Sequence, residues 1–224
     1  MFFFFFSKPY ITIVGETIDQ TEHRKKLNEV LRGLNKRYET TMTAQFMTTI
    51  NNEFQGIVCK GEALLPILFE LKNQMYPLKL RLGVGLGEIE EESLSEMSIT
   101  VKGPGYEKAR ESLDYLRMLA NRKQTGHADV RVESTENSGE RLCLINTILA
   151  LLTTIEDSWS SRQREMIYHM MKYKETQTSV AKRLGVTQST VQKSLTAGNY
   201  YVYEEAFQTL NRVFAEIEDI RYEK

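Results

Sequence analysis

The sequence predicts an α+β protein in two parts, an antiparallel sheet with helices followed by an all-helical segment. Up to about residue 133, β-rich apolar runs alternate with segments whose apolar residues recur at helical spacing. Beyond that point only helical periodicity remains, and the polar, turn-rich run 134–139 (STENSG) separates the two patterns. We therefore predict one domain over residues 1–135 and a second over residues 136–224.

The first part has the element order β-α-β-β-α-β-β-α-β, which is a ferredoxin-like core with an extension. In such a core, helices cover one face of an antiparallel sheet. We expect Gly15 to end the first strand and the Asn51–Asn52 pair to form a hairpin turn, because Asn tolerates the left-handed conformation. The predicted strands are 10–14, 43–49, 55–59, 79–89, 98–101 and 128–133, and the predicted helices are 23–38, 62–74 and 106–121.

The second part is predicted to begin with a helix over 140–155. Ser160 and Ser161 are N-cap candidates for a helix that continues to residue 171. A closing helix over 203–220 carries an apolar stripe. That stripe is typical of a helix packed on its own domain, and a dimer seam is the alternative.

Between these helices, residues 176–196 (TQTSVAKRLGVTQSTVQKSLT) predict a helix-turn-helix. Val180, Ala181 and Leu184 form one apolar helical face, and Ala181 is small enough for a crossing helix to approach. Gly185 follows as the left-handed residue that a helix end requires. Thr187 is then a natural N-cap for the second helix.

In this second helix Val191 and Leu195 lie four residues apart and should face inward, so the polar residues between them face outward. Gln can pair with adenine, Ser with several base edges, and Lys with guanine or phosphate. The alternative is an ordinary pair of bundle helices with a polar surface. The predicted DNA-binding residues are Lys182, Arg183, Thr187, Gln188, Ser189, Gln192 and Lys193.

Charge is distributed unevenly along the 224 residues, although the formal net charge is only −1. Residues 160–199 contain seven Lys or Arg against two Glu, so the rest of the chain is net acidic. This asymmetry fits a basic nucleic-acid-binding module attached to an acidic domain.

Composition also argues against several classes of protein and site. Cys59 and Cys143 are far apart in apolar segments, which favours buried free thiols in a reducing compartment. The three histidines do not cluster, so we predict no metal site from them. The run 2–6 of phenylalanines lacks the basic start and the length of a signal peptide. We expect an apolar tail there, a cytoplasmic protein and no membrane partner.

Four motifs resemble the SatD family of bacterial proteins, whose members pair such a first domain with a C-terminal helix-turn-helix. They are IVGETI (13–18), NNEFQG (51–56), LRLGVGLGEI (80–89) and KGPGYEKAR (102–110). The same motifs are similar to a distant version of the palm of class III nucleotide cyclases and GGDEF diguanylate cyclases. This resemblance implies a cyclase-palm-like first domain in which two carboxylates hold metal ions against a triphosphate.

The palm resemblance implies a ligand pocket but not its catalytic chemistry. Glu16 stands where Asp is expected, and Asn52 replaces the hairpin carboxylate. Neighbouring strand residues point to opposite faces, so Glu53 should not substitute for it. We therefore expect no cyclase activity and no cofactor, with Mg²⁺ or a nucleotide as the alternative. The implied pocket residues are Glu16, Asn52, Arg81, Gly85 and Arg110.

The leading hypothesis is a sequence-specific DNA-binding protein that regulates transcription and acts on double-stranded DNA as a homodimer. Its first domain would sense a ligand, dimerise, or both. One alternative is a nucleotide-binding or cyclase-like enzyme that uses the palm. The other is an adaptor whose helix-turn-helix binds protein.

Overall fold

The computed structural model describes residues 10–18, 23–49, 53–90, 101–122, 128–136 and 139–217. The fold is α+β, with a mixed five-stranded sheet and helices. The phenylalanine run, the Asn51–Asn52 turn and residues 98–100 of a predicted strand lie outside the described residues. Val101, the described end of that predicted strand, is buried and is not part of the sheet.

The sheet has the strand order β2-β3-β1-β4-β5. Strand β5 runs parallel to β4, and the other neighbouring pairs are antiparallel. The expectation of a fully antiparallel sheet is therefore wrong at this edge, because a helix connects β4 to β5 and returns the chain to the same end of the sheet. The strands are β1 Tyr10–Thr17, β2 Met42–Thr48, β3 Glu53–Val58, β4 Leu80–Gly87 and β5 Val130–Ser134.

The helices α1 to α7 follow the predicted positions closely, with short 3-10 turns at Glu39–Thr41 and Gly61–Ala63. The closing helix α8 begins at Tyr200 and ends at Phe214, so the predicted helix over 203–220 is too long at its C-terminal end, where residues 215–216 form a turn. Ser160 caps α5 in a capping box with Gln163, which confirms the predicted start of that helix. The helices are α1 Arg24–Arg37, α2 Leu64–Met75, α3 Pro104–Ala120, α4 Gly139–Asp157, α5 Ser161–Tyr173, α6 Gln177–Leu184, α7 Gln188–Ala197 and α8 Tyr200–Phe214.

Helices cover both faces of the sheet, so the prediction of helices on one face is wrong. Ile11 and Ile13 of β1 join the core that contains α1 and α2. Val14, on the opposite face, packs against Ala109 and Leu113 of α3. The physical reason is visible in β1, whose near-continuous apolar run suits a strand that is buried on both sides.

Glycines let neighbouring groups approach the sheet closely. The first strand continues through Gly15, contrary to the predicted break. A Cβ at Gly15 would lie 2.3 Å from the Phe54 ring, so glycine is needed there for close packing. A Cβ on Gly83 would lie 2.3 Å from the carbonyl oxygen of Ala109 in α3. These positions need glycine for packing rather than for a turn.

One apolar core continues across position 136. Helix α4 packs on β5, where the Asn146 side chain bonds both the N–H and the carbonyl of Val132 at 2.8 Å. Helix α8 packs on α2, with the rings of Phe69 and Phe207 5.8 Å apart. The apolar stripe of α8 therefore lies inside this core, as expected for a helix packed on its own chain.

The outer face of α4 differs from the prediction. Cys59 is buried as expected, whereas Cys143 is exposed because α4 turns this side away from the core. Leu144 and Leu151 are exposed on α4 as well. None of the described helices combines the length and the apolar character needed to span a bilayer.

Candidate nucleic-acid interface

Helices α6 and α7 are two short helices joined by a tight turn. The Thr176 hydroxyl caps α6 by accepting from the backbone N–H of Ser179 at 3.2 Å. Gly185 ends α6 in the left-handed region, with φ 65° and ψ 36°, as predicted. The N–H of Val186 then donates to the carbonyl of Ala181 at 3.0 Å, which closes the turn.

Helix α7 is held from within by buried apolar side chains. The Thr187 hydroxyl accepts from the N–H of Thr190 at 3.2 Å, which confirms the predicted N-cap. Val191 and Leu195 are fully buried and belong to the core, and α7 contacts both α5 and α8. The opposite side of α7 is therefore presented to solvent in a fixed orientation.

The predicted DNA-binding residues of α6, α7 and the turn between them are all exposed to solvent. Gln192 has two side-chain partners, since its Oε1 accepts from Gln177 Nε2 at 2.6 Å and from the Tyr201 hydroxyl at 3.2 Å. Sequence reasoning missed Gln177 and Tyr201, which come from α6 and α8 and meet Gln192 only in the fold. The exposed residues are Lys182, Arg183, Thr187, Gln188, Ser189, Gln192 and Lys193.

Two arginines around this surface have internal partners. Arg183 Nη2 donates to Glu175 Oε1 at 2.5 Å, although the arginine side chain is 55% exposed. Arg162 Nη2 donates to the carbonyl of Leu184 at 2.8 Å, so it satisfies the C-terminal end of α6. Arg183 must therefore exchange a carboxylate for any phosphate that it contacts.

Of the predicted ligand-pocket residues, Glu16, Arg81 and Gly85 lie on the sheet face that α3 covers, and Arg110 belongs to α3 itself. In the antiparallel register, Glu16 of β1 stands opposite both Glu53 of β3 and Arg81 of β4. Directly opposed residues share a face, so Glu53 lies on the same side as Glu16. The prediction that Glu53 does not substitute for Asn52 stays a prediction, since Asn52 lies outside the described residues.

These carboxylates form a closed network with guanidinium groups. Arg117 Nη2 lies 2.6 Å from both Glu16 Oε2 and Glu53 Oε1. Arg81 Nη1 binds Glu16 Oε1 at 2.9 Å, and Arg110 Nη1 binds Glu53 Oε2 at 2.6 Å. Burial raises the pKa of the Glu16 carboxyl, but Arg117 and Arg81 outweigh burial and hold that pKa below its ordinary value.

Arg117 was missed by the sequence reasoning, although a signal existed. It follows Arg110 by seven residues, so both lie on one face of α3. Gly85 does not line this network but lies beneath α3, where a Cβ would be 1.9 Å from the carbonyl oxygen of Gly105. Asn52 lies outside the described residues.

The chemistry of the network is that of paired charges. A catalytic metal site here would require Glu16 and Glu53 to release their arginine partners and bind metal ions instead. Across the described residues, no three His, Cys, Asp or Glu side chains are grouped so as to hold a metal ion.

Comparison with known proteins identifies the family. A search of curated proteins found no match. One distantly similar solved structure is the "Crystal Structure of Regulator of Polyketide Synthase Expression from Bifidobacterium adolescentis", with 11% identity and a TM-score of 0.32 over 96% of this chain and 82% of that chain. The model of the SatD family matches residues 10–213. The chain therefore belongs to the SatD family.

Proposed function

We propose that this protein is a sequence-specific DNA-binding regulator of transcription, in which α6 and α7 act as a helix-turn-helix and α7 enters the major groove. The observation that carries the proposal is the division of α7 into two sides. Val191 and Leu195 are fully buried, while Gln188, Ser189 and Gln192 are exposed. A recognition helix needs this combination of a fixed axis and a polar outer face.

Gln192 is the strongest candidate for base readout. Its carbonyl oxygen is held by Gln177 and Tyr201, so less side-chain freedom is lost when DNA binds. The amide group of Gln192 can then donate to N7 of a purine in the major groove. Gln188 and Ser189 lie nearer the N-terminus of α7, where recognition helices contact base edges.

Phosphate contacts come from the residues at the edges of the same surface. Lys182 and Lys193 are exposed, and Thr187 lies at the N-terminus of α7, where the backbone N–H groups favour an anion. Arg183 joins them after release from Glu175. These contacts position the protein on the duplex without specifying sequence.

The test is a binding series against genomic DNA fragments, read by gel shift and fluorescence anisotropy at several salt concentrations. The double substitution Gln192→Ala plus Lys193→Ala should weaken binding to preferred fragments by about tenfold or more. It should also reduce the magnitude of the slope of log affinity against log salt concentration by about one.

A matched control is Gln208→Ala plus Lys36→Ala, since both residues are exposed on helices outside α6–α7. This control should bind DNA like the wild type. Equal affinity for all fragments at moderate salt, together with no effect of the α7 double substitution, would refute the proposal.

The proposed DNA-bound form is a homodimer joined through α4. Leu144, Ile148, Leu151 and Ile155 follow one another at intervals of four, three and four, which is the spacing of a coiled-coil seam. Leu144 is 63% and Leu151 59% exposed, although both are apolar, while Ile148 and Ile155 are partly buried against the core. The same stripe on a second copy is a self-complementary partner around a two-fold axis.

Sedimentation equilibrium tests this dimer. Leu151→Gln should weaken self-association, whereas Val202→Gln, an equally exposed apolar position on α8, should not. A wild-type protein that sediments as a monomer at every concentration would contradict the dimer and leave the DNA-binding test unaffected.

A further inference from the structure

A cavity of about 350 Å³ opens where the sheet meets the helices α4 and α5. Its volume is in the range of small-molecule sites. One wall is apolar and contains Leu78, Leu80, Leu116 and Leu119 from β4 and its approach and from the end of α3. The other wall is polar and includes Lys72, Asp129, Glu156 and Arg164.

The polar wall is built on a buried ammonium group. Lys72 Nζ lies 2.9 Å from Asp129 Oδ2 and 2.7 Å from Glu156 Oε2. Burial lowers the pKa of Lys72, but these two carboxylates outweigh it and raise that pKa above its ordinary value. Glu156 also accepts from the Tyr203 hydroxyl at 2.6 Å. Lys72 is therefore charged and already neutralised by its neighbours.

The other described cations on the cavity wall differ in how well they are paired. Lys79 Nζ lies 3.0 Å from Asp157 Oδ2, and Arg81 Nη1 lies 2.9 Å from Glu16 Oε1. Arg164 comes no closer than 4.0 Å to a carboxylate oxygen of Glu156, which Lys72 already holds. Arg164 is thus the least neutralised of these cations.

Arg164 is also held in place and incompletely hydrogen-bonded. Its Nη2 donates to the backbone carbonyl of Glu156 at 2.6 Å, and its guanidinium lies 4.7 Å from the Tyr76 ring centroid. Its side chain is 11% exposed, and its Nε is buried without a hydrogen-bond partner. Because this Nε is enclosed by protein, a ligand oxygen would be bound through Nη1, which lies no closer than 4.0 Å to a carboxylate oxygen.

From this wall arrangement we propose that the cavity binds a small amphiphilic anion, with an apolar ring or short chain against Leu116 and Leu119 and one anionic group facing Arg164. The body of such a ligand replaces water along the leucines. Its anionic group supplies an acceptor and a counter-charge closer to Arg164 than the Glu156 carboxylate at 4.0 Å, in a charge-assisted hydrogen bond.

The cavity is lined by residues of β4 and α3 on one side and of α4 and α5 on the other, so a ligand would contact both groups of elements. Beside it, the Tyr76 hydroxyl lies 3.1 Å from the Ser161 hydroxyl at the start of α5, and Lys79 binds Asp157 at the end of α4. Trp159 donates to the carbonyl of Gly198, at the end of α7, at 2.7 Å. A bound ligand would therefore stabilise the junction that supports α7.

The test uses two probes with the same aromatic framework and different charge. One is 1-anilinonaphthalene-8-sulfonate, and the other is the neutral N-phenyl-1-naphthylamine. Fluorescence titration and calorimetry on the full chain should show one sulfonate site per chain. The sulfonate should bind about tenfold more tightly than the neutral amine, because only the sulfonate accepts from Arg164.

Two substitutions separate the parts of the site. Arg164→Gln should weaken sulfonate binding by about tenfold and change amine binding by less than about twofold. Ala120→Phe places a ring at the exposed rim of the cavity and should weaken both probes by about fivefold or more. The matched controls Arg32→Gln and Thr209→Phe, at exposed positions on α1 and α8, should bind both probes like the wild type.

Circular dichroism checks that each variant is folded, and Ala120→Phe tests the cavity independently if Arg164→Gln unfolds. Equal affinity for the two probes in the wild type overturns the anion preference. Sulfonate binding that is unchanged in Ala120→Phe overturns the site. Neither readout uses DNA, so the cavity proposal and the DNA-binding proposal can fail separately.

Discussion

The sheet face covered by α3 and the surface of α6–α7 use the same kinds of residue for different purposes. On the sheet face, Gly85 lies against the backbone of α3, and the carboxylates of Glu16 and Glu53 are bound by arginines. On the α6–α7 surface, the space around Gly185 is open, and the amide of Gln192 is exposed.

The difference shows that a motif's function depends on what fills the space around it. A palm-like pattern of glycines and carboxylates suggested a ligand pocket, but its Glu and Arg residues bind one another and Gly85 contacts α3. The polar residues of α7 have room for an external partner. Substitutions on the two surfaces test this contrast between a filled and an open surface.

Gly85→Ala should give the largest loss of stability. The added methyl group would lie 1.9 Å from the carbonyl oxygen of Gly105 and 2.4 Å from the N of Ala109, and these backbone atoms cannot rotate away. We expect a loss of about 3 kcal/mol in the free energy of unfolding, measured by urea denaturation. Gly33→Ala in α1 is the control, since open space there predicts a small gain. A neutral Gly85→Ala would show that α3 is not tightly packed on β4.

Arg117→Met should destabilise the protein by about 1 to 2 kcal/mol at neutral pH, because Glu16 and Glu53 would face each other without their shared cation. This loss is smaller than that expected for a fully buried ion pair, because the Arg117 side chain is 32% exposed and solvent screens its charge. Lys108→Met, which removes an exposed pair with Glu111, should cost much less. Denaturation curves for both variants provide the measurement.

The same variant has a defined pH dependence. The pKa of Glu16 is lowered in the folded protein, so its stabilising contribution is present above its ordinary value of 4.5 and is lost as pH falls through the folded value. The stability difference between wild type and Arg117→Met should therefore narrow in acid. A difference that stays constant down to the acid transition would mean that Arg117 acts through packing alone.

Gly185→Ala should cost about 1 kcal/mol, which is less than Gly85→Ala. No atom lies within 4 Å of the added methyl group, so the cost comes only from the backbone, whose φ is +65°. Gly185→Asn should recover part of the loss, because Asn adopts this conformation more readily. Thermal unfolding of the three proteins measures the order, and equal stability of all three would contradict the explanation by strain.

Glu175→Gln should produce the smallest effect, a rise in DNA affinity of about two- to threefold. It removes a negative charge and frees Arg183 from its 2.5 Å contact, so that the guanidinium can contact phosphate. Glu111→Gln on α3 changes the net charge equally and should leave affinity unchanged. Anisotropy titrations that show weaker binding for Glu175→Gln would indicate that the Glu175–Arg183 pair positions α6 for DNA.

Features that depend on residues within about four positions of one another could be predicted from the sequence. The caps at Ser160 and Thr187, the left-handed Gly185 and the two sides of α7 all follow from local hydrogen bonding and helical periodicity. The five sheet strands and the helices of the first part could also be predicted, since most carry their own apolar period, whereas Val101 of the predicted strand 98–101 is not part of the sheet.

Contacts between residues that are distant in sequence became known only from the tertiary structure. The register of β1 with β3 placed Glu53 beside Glu16, and the packing of α3 brought Arg117 between them. The parallel pairing of β5 with β4, the apolar core that continues across position 136 and the cavity at Arg164 are further features of the tertiary structure. Such contacts join segments tens of residues apart, and their geometry comes from how whole elements pack, which no local pattern encodes.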